Sequence, residues 1–106
     1  MNHWELQDLY GKSNHEIAAE LGARFRAYRI ALRLTQKEVA EKAGVSVLTL
    51  SRFETGNSAS ISLPYFLALL RVIGHLDKIT ESIPEIPESL YGPSRTQQRV
   101  RRKKDE

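Results

Sequence analysis

The chain has 106 residues, no cysteine, 41% hydrophobic residues and a formal charge of +3, which suits one compact domain with a modest core and excludes a disulfide framework or a thiolate zinc site. No apolar run approaches the roughly 18 residues needed to span a bilayer, and the opening MNHWELQDLYGK lacks the basic-then-apolar order of a secretion signal, so the expectation is a soluble, cytoplasmic protein without a membrane partner. The charge is uneven: from Arg24 to Arg71 eight basic residues stand against three acidic ones, and from Pro93 onward six stand against two. Two readings stay open, a middle and an arm that face a polyanion, or a solvated surface with a floppy tail.

In residues 1–12, Trp4, Leu6, Leu9 and Tyr10 are apolar enough to pack on the domain or on a partner subunit, and Gly11 and Lys12 break the pattern. Ser13 and Glu16 fit a capping box that opens a long helix ending near Arg33. Its stripe is Ile17, Leu21, Phe25, Tyr28 and Leu32, with Arg24, Arg26, Arg29 and Arg33 on the flanks and far side. Gly22 costs such a helix about 1 kcal/mol relative to alanine; it marks either a close helix approach or a tolerated blemish.

Thr35 and Glu38 form a second capping box before a short helix at residues 36–43, with Val39, Ala40 and Ala43 inward and Gly44 as its left-handed stop. Val45 plugs the core from the turn, and Ser46 caps a third helix at 47–54, held by Leu50 and Phe53. After the polar loop GNSASIS, Ser62 caps a fourth helix with Pro64 in its first turn. Its stripe is Leu63, Phe66, Leu69, Leu70 and Ile73, and Gly74 ends it. A fifth helix is expected at 76–82, using Ile79 and Ile83. No strand pattern or internal repeat appears. The domain is therefore read as all-α over residues 13–83, and the proline-broken residues 84–106 as an extended, mostly disordered arm with Leu90 and Tyr91 as anchors.

A short helix, a tight turn through Gly44 and Val45, and a second short helix form a helix-turn-helix, whose second helix can enter a DNA major groove while the first crosses the backbone. Ser46, Val47, Leu48 and Thr49 precede the inward Leu50, and Arg52 lies one turn further on. Arg52 is the expected hydrogen-bonding reader, for guanine, and Val47 or Leu48 suits a thymine methyl. The bland alternatives are that Val47 and Leu48 pack on a neighbour, that Arg52 pairs with a surface carboxylate, and that Gln36 is merely solvated.

The run LTQKEVAEKAGVSVLTLSRFETG, Leu34–Gly56, resembles the DNA-binding core of the Xre/Cro/phage-repressor family, over roughly Leu21 to Gly74. The resemblance rests on Leu34-Thr35-Gln36 before the second helix, Ala40 and Gly44 at the close-packed positions, Leu50 and Phe53 in the core, and Glu54-x-Gly56 at the close of the third helix. It implies a five-helix, lambda-repressor-like fold and double-stranded operator DNA as partner. It also implies roles. Gln36 matches a glutamine that contacts phosphate and base; Ser46, Val47, Leu48 and Arg52 match base-facing positions, with Thr49 beside them. Asn57 matches a phosphate contact, with Ser58, Ser60, Thr35 and Lys37 as further candidates. Arg29 and Glu54 match a structural ion pair. Arg33 stands where the family frequently has glycine, which puts the local turn conformation in question.

His3, His15 and His75 are scattered, and no nucleophile–base–acid set or glycine-rich phosphate loop appears, so neither a metal site, a cofactor nor an enzyme is expected. The tail's Arg95, Arg99, Arg101, Arg102, Lys103 and Lys104 have three readings: phosphate contact, a partner-binding segment, or solubility charge. The fourth helix with this proline-rich, then Arg/Gln-rich tail is similar to small antitoxin repressors paired with a Hip-type kinase toxin, which makes a toxin protein the alternative partner. A homodimer is expected because one reading helix spans few base pairs. Its interface is sought in the N-terminal segment, the fifth helix or the Leu90/Tyr91 region, with the fifth helix and the adjoining segment favoured.

Overall fold

A computed structural model describes residues 6–57 and 61–90, with burial from residue 8 onward. Trp4, Ser58, Ser60, Tyr91, the side chain of Leu6 and the basic tail from Arg95 to Lys104 lie outside the described set. Five α-helices follow one another: α1 (Leu6–Tyr10), α2 (Asn14–Ala31), α3 (Gln36–Ala43), α4 (Val47–Thr55) and α5 (Leu63–Val72). Two 3-10 helices come after them, Leu76–Ser82 and Glu88–Leu90. The described residues contain no strand, and no helix among them is long and apolar enough to cross a membrane.

Each helix start from α2 to α5 is set by a hydroxyl. Ser13 and Thr35 complete reciprocal capping boxes with Glu16 and Glu38, while Ser46 and Ser62 accept the amides of Thr49 and Tyr65. Such caps satisfy amides that no helix can satisfy internally, each worth about 1 kcal/mol. The helix ends are equally local. Leu34 N–H donates to the Arg29 carbonyl and Arg33 N–H to that of Ile30, closing α2 in a Schellman turn. Gly44 and Gly74 take the left-handed conformation in the same kind of turn after α3 and α5, but in α2 that position is Arg33, at φ 62°. A side chain there costs roughly 1–2 kcal/mol.

The core is Phe25, Val39, Ala40, Val45, Leu50, Phe53 and Leu69, with Leu50, Leu69 and Val39 fully buried. Phe53 stands between Phe25 and Phe66, its ring centroid 6.0 Å from each. The crossing of α2 and α4 is closest at Gly22, where a Cβ would lie 1.8 Å from the Phe53 carbonyl oxygen. The missing side chain thus lets one backbone rest on the other.

That crossing also corrects the expected stripe of α2. Gly22, Phe25 and Arg29 are its buried positions, whereas Tyr28 and Leu32 are about half exposed. Arg29 turns inward to meet a carboxylate on α4, which rotates Tyr28 and Leu32 off the contact. Leu63 is likewise 63% exposed, since it precedes the turn of α5 that reaches the core. The fifth helix expected at 76–82 is a 3-10 helix, and Ile83 beyond it is 86% exposed rather than packed. Thr80 and Ser82 hydroxyls donate to the carbonyls of Asp77 and Ile79, three residues back. His75 provides no side-chain cap, so the tighter winding is the one its own side chains support.

Gly22→Ala is expected to cost about 2 kcal/mol or more, despite alanine's better helix propensity, because α2 and α4 must separate. Urea unfolding followed by circular dichroism measures it; an unchanged midpoint would contradict the close crossing.

Candidate nucleic-acid interface

The site is built on α4, whose inner side is fixed by Leu50, Phe53 and the buried Glu54. Three-residue and four-residue steps from those positions leave Leu48 and Arg52, four apart, on the outer side, and Val47 opens the helix at its first position. Val47 is 44% and Leu48 58% exposed, and Arg52 is exposed as well. The outer side of α4 therefore presents two aliphatic side chains in its first turn and one guanidinium in its last.

Ser46 and Thr49 are committed to the start of the helix. Ser46 Oγ accepts the Thr49 amide at 3.0 Å and donates to Thr49 Oγ1 at 2.9 Å. Their hydroxyls can still accept from a ligand, but their first role is to cap α4.

Beneath α4 lies a buried polar network. Arg29 Nε donates to Glu54 Oε2 at 2.7 Å and its second terminal nitrogen to Oε1 at 2.9 Å, a two-pronged ion pair. The remaining terminal nitrogen donates to the Leu34 carbonyl at 2.9 Å. Glu54 is fully buried at its side chain and Arg29 nearly so. Hydrogen bonding to Glu54 chiefly holds the Arg29 guanidinium above its ordinary range, against the opposing effect of partial burial. The pair therefore favours the charged guanidinium, and its contribution is lost on this side only as pH climbs through the raised value.

Gln36 joins the same network, its Nε2 donating to Glu54 Oε1 at 3.1 Å. One N–H is spent inside the protein; the second N–H and the carbonyl oxygen are available to a ligand. The network thus aims the first residue of α3 from the residue that anchors α4. Thr35 is engaged in its capping box, giving its amide to Glu38 and accepting the Glu38 amide. The amides of Gln36 and Lys37 lie at the start of the α3 dipole. Lys37 and Asn57 are exposed, and Ser58 and Ser60 fall outside the described residues.

Two basic residues join the candidates. Arg26 and Arg33 border a concavity of about 670 Å³ shared with Arg29, Thr35 and Gln36, at the start of α3. Arg26 lies on α2 and Arg33 in the left-handed turn that follows it, so helical spacing does not join them and their shared concavity appears only with coordinates. Together with Lys37 they set several cations about the α3 N-terminus, beside the carboxylates of Glu38 and of the Arg29-paired Glu54. Among the described residues, no cluster of histidine and carboxylate groups could hold a metal ion.

The sequence model of one family, described as a helix-turn-helix domain, matches residues 20–78. That span runs from within α2 through the first 3-10 helix and holds the whole of the α3–turn–α4 unit. No curated protein matches the chain.

Glu54→Gln should destabilise the fold by about 3 kcal/mol, since it leaves Arg29 buried without its counter-charge. The double variant Arg29→Met/Glu54→Leu should recover most of the loss. Urea midpoints for the wild type and both variants decide it; a single variant as stable as the wild type would contradict a closed pair.

Proposed function

Because the chain belongs to the helix-turn-helix domain family, we propose that it is a sequence-specific, double-stranded DNA-binding transcriptional regulator, a repressor, that reads the major groove with α4. The observation that carries this reading is the outward face of α4: Val47, Leu48 and Arg52 are exposed on a helix whose other side is anchored in the core. An α-helix so mounted fits the width of the B-DNA major groove.

The roles follow from chemistry. Arg52 donates to the O6 and N7 of a guanine, and Leu48 or Val47 lies against a thymine methyl. Ser46 and Thr49 sit at the groove floor as secondary contacts. The α3 N-terminus, Gln36, Thr35 and Lys37 hold a backbone phosphate, with Arg26 and Arg33 on its flanks and Asn57, Ser58 and Ser60 towards the opposite strand. The basic residues Arg95, Arg99, Arg101, Arg102, Lys103 and Lys104 add a sequence-independent phosphate term. The working unit is a homodimer in the cytoplasm, because two symmetric reading helices match half-sites about 34 Å apart. An antitoxin that sequesters a kinase-like toxin draws its support from the resemblance of the fourth helix and the tail, and the exposed face of α4 favours the DNA reading.

Selection from a random duplex pool, followed by footprinting, tests the proposal: a palindromic site with half-sites about one helical turn apart is expected, and no enrichment would contradict it. On the selected duplex, Arg52→Ala should cost roughly 1–3 kcal/mol and relax preference at one base position, which binding to single-base variants measures. Equal loss on random DNA would remove the base-reading role.

Arg33→Gly separates binding from folding. Relief of the left-handed conformation should leave stability equal or higher by up to about 1 kcal/mol. The same change should lower affinity on all duplexes alike and reduce the salt slope by about 1. A stability gain with an unchanged slope would take Arg33 out of the interface.

A further inference from the structure

Away from α4, two apolar features stand open among the described residues. One is a groove of about 250 Å³ between α2, α5 and the first 3-10 helix, walled by Leu21, Phe25, Tyr28, Phe66, Leu70 and Ile73. Its rim is basic, with Arg24, His75 and Lys78. Tyr28 and His75 meet edge to face across one end, ring centroids 4.8 Å apart, which fixes that wall.

The other feature is the strap that follows. Ile83 is 86% and Ile86 49% exposed, and the acidic Glu81, Glu85 and Glu88 beside them are exposed too. Pro84 and Pro87 remove two amides and restrain the strap to an extended path. Three residues separate Ile83 from Ile86, the period of an extended polyproline-type chain, so both fall on one side and Glu85 on another. The strap is thus apolar and acidic, the groove apolar and basic, and no strap residue lines the groove.

We infer that the strap Ile83–Leu90 of one copy docks in the basic-rimmed groove of a second copy, and reciprocally, so that the homodimer closes by exchange of straps. This rests on the dimeric reading above. A second copy is the fitting occupant for two reasons. Ile83, the residue before Pro84, is kept out of the helical region at φ −136° and ψ 89°, and Ile83 and Ile86 stay exposed instead of entering the groove of their own chain. Lys78 lies on the rim of the groove and also on the helix that launches the strap. Two copies related by a two-fold axis near that helix therefore bring each strap to the other's groove, within the ~17 Å that residues 83–87 reach when extended, ahead of the 3-10 turn at Glu88–Leu90. The prolines hold the strap in its docking shape beforehand, which lowers the entropy lost on association.

Light scattering on the full chain at about 100 µM, without DNA, reads the mass directly. The wild type should be a dimer. Ile83→Glu/Ile86→Glu, at positions outside the core, should be a monomer with unchanged helical circular dichroism. Partner identity comes from cross-linking. Ile86→Cys gives the cysteine-free chain a single thiol for a benzophenone label, and light and isotopically heavy chains are mixed before irradiation. Mixed light–heavy products that join residue 86 to peptides within residues 66–78 are the expected result. A monomeric wild type, a variant that remains dimeric, or products confined to single chains would each overturn the strap exchange. A dimer that ignores the strap variant would leave the dimeric DNA reader standing and remove the strap alone; a wild-type monomer would remove both dimer and strap.

Discussion

The backbone of α4 can lie on α2 only because residue 22 carries no side chain. A methyl there would sit inside van der Waals contact of the Phe53 carbonyl, so the crossing fixes both the distance and the rotation of α4. The Arg29–Glu54 pair ties the same two helices at the other end. Between them Phe53 fills the space against Phe25 and Phe66. With its inner side held at three points, α4 has one rotational setting, and that setting turns Val47, Leu48 and Arg52 to the outside. The exposure of those residues is thus a consequence of how the opposite side is packed.

The buried network extends that constraint to a second contact region. Glu54 accepts from Arg29 and from Gln36 at once, so the carboxylate that anchors α4 also orients the first side chain of α3. A buried ion pair is poor evidence for stability in itself; here it registers two helix starts against each other. Arg33 shows the opposite balance. It occupies a left-handed position where glycine would fit without strain, yet its charge borders the concavity at the α3 N-terminus. Strain kept at such a place is what a binding role would explain.

The parts of the fold that depend on neighbouring residues were legible in the sequence. Ser13, Thr35, Ser46 and Ser62 each bond an amide three residues on, and Gly44 ends its helix through its own backbone freedom, so a local pattern sufficed. The phase of α2 was not legible. Its apolar residues fall on more than one side, and the stripe through Tyr28 and Leu32 cannot coexist with an inward Arg29. The partner that decides the matter, Glu54, is 25 residues away. The 3-10 winding of residues 76–82 turned on hydroxyl-to-carbonyl bonds that helix periodicity does not encode. At the candidate interface, the residue types of α4 and the cap of Ser46 were readable, while the commitment of the Thr49 hydroxyl and of Gln36 to hydrogen bonds within the protein appeared only with coordinates.

The most direct test of a one-sided, core-anchored reading helix is an amide-resolved NMR titration with a duplex selected by the protein. The largest shifts should fall on residues 46–52 and at the start of α3 around 35–37, while the amide of the core residue Leu69 moves little. Shifts concentrated on the α2–α5 groove, with the amides of α4 unmoved at saturation, would contradict the account.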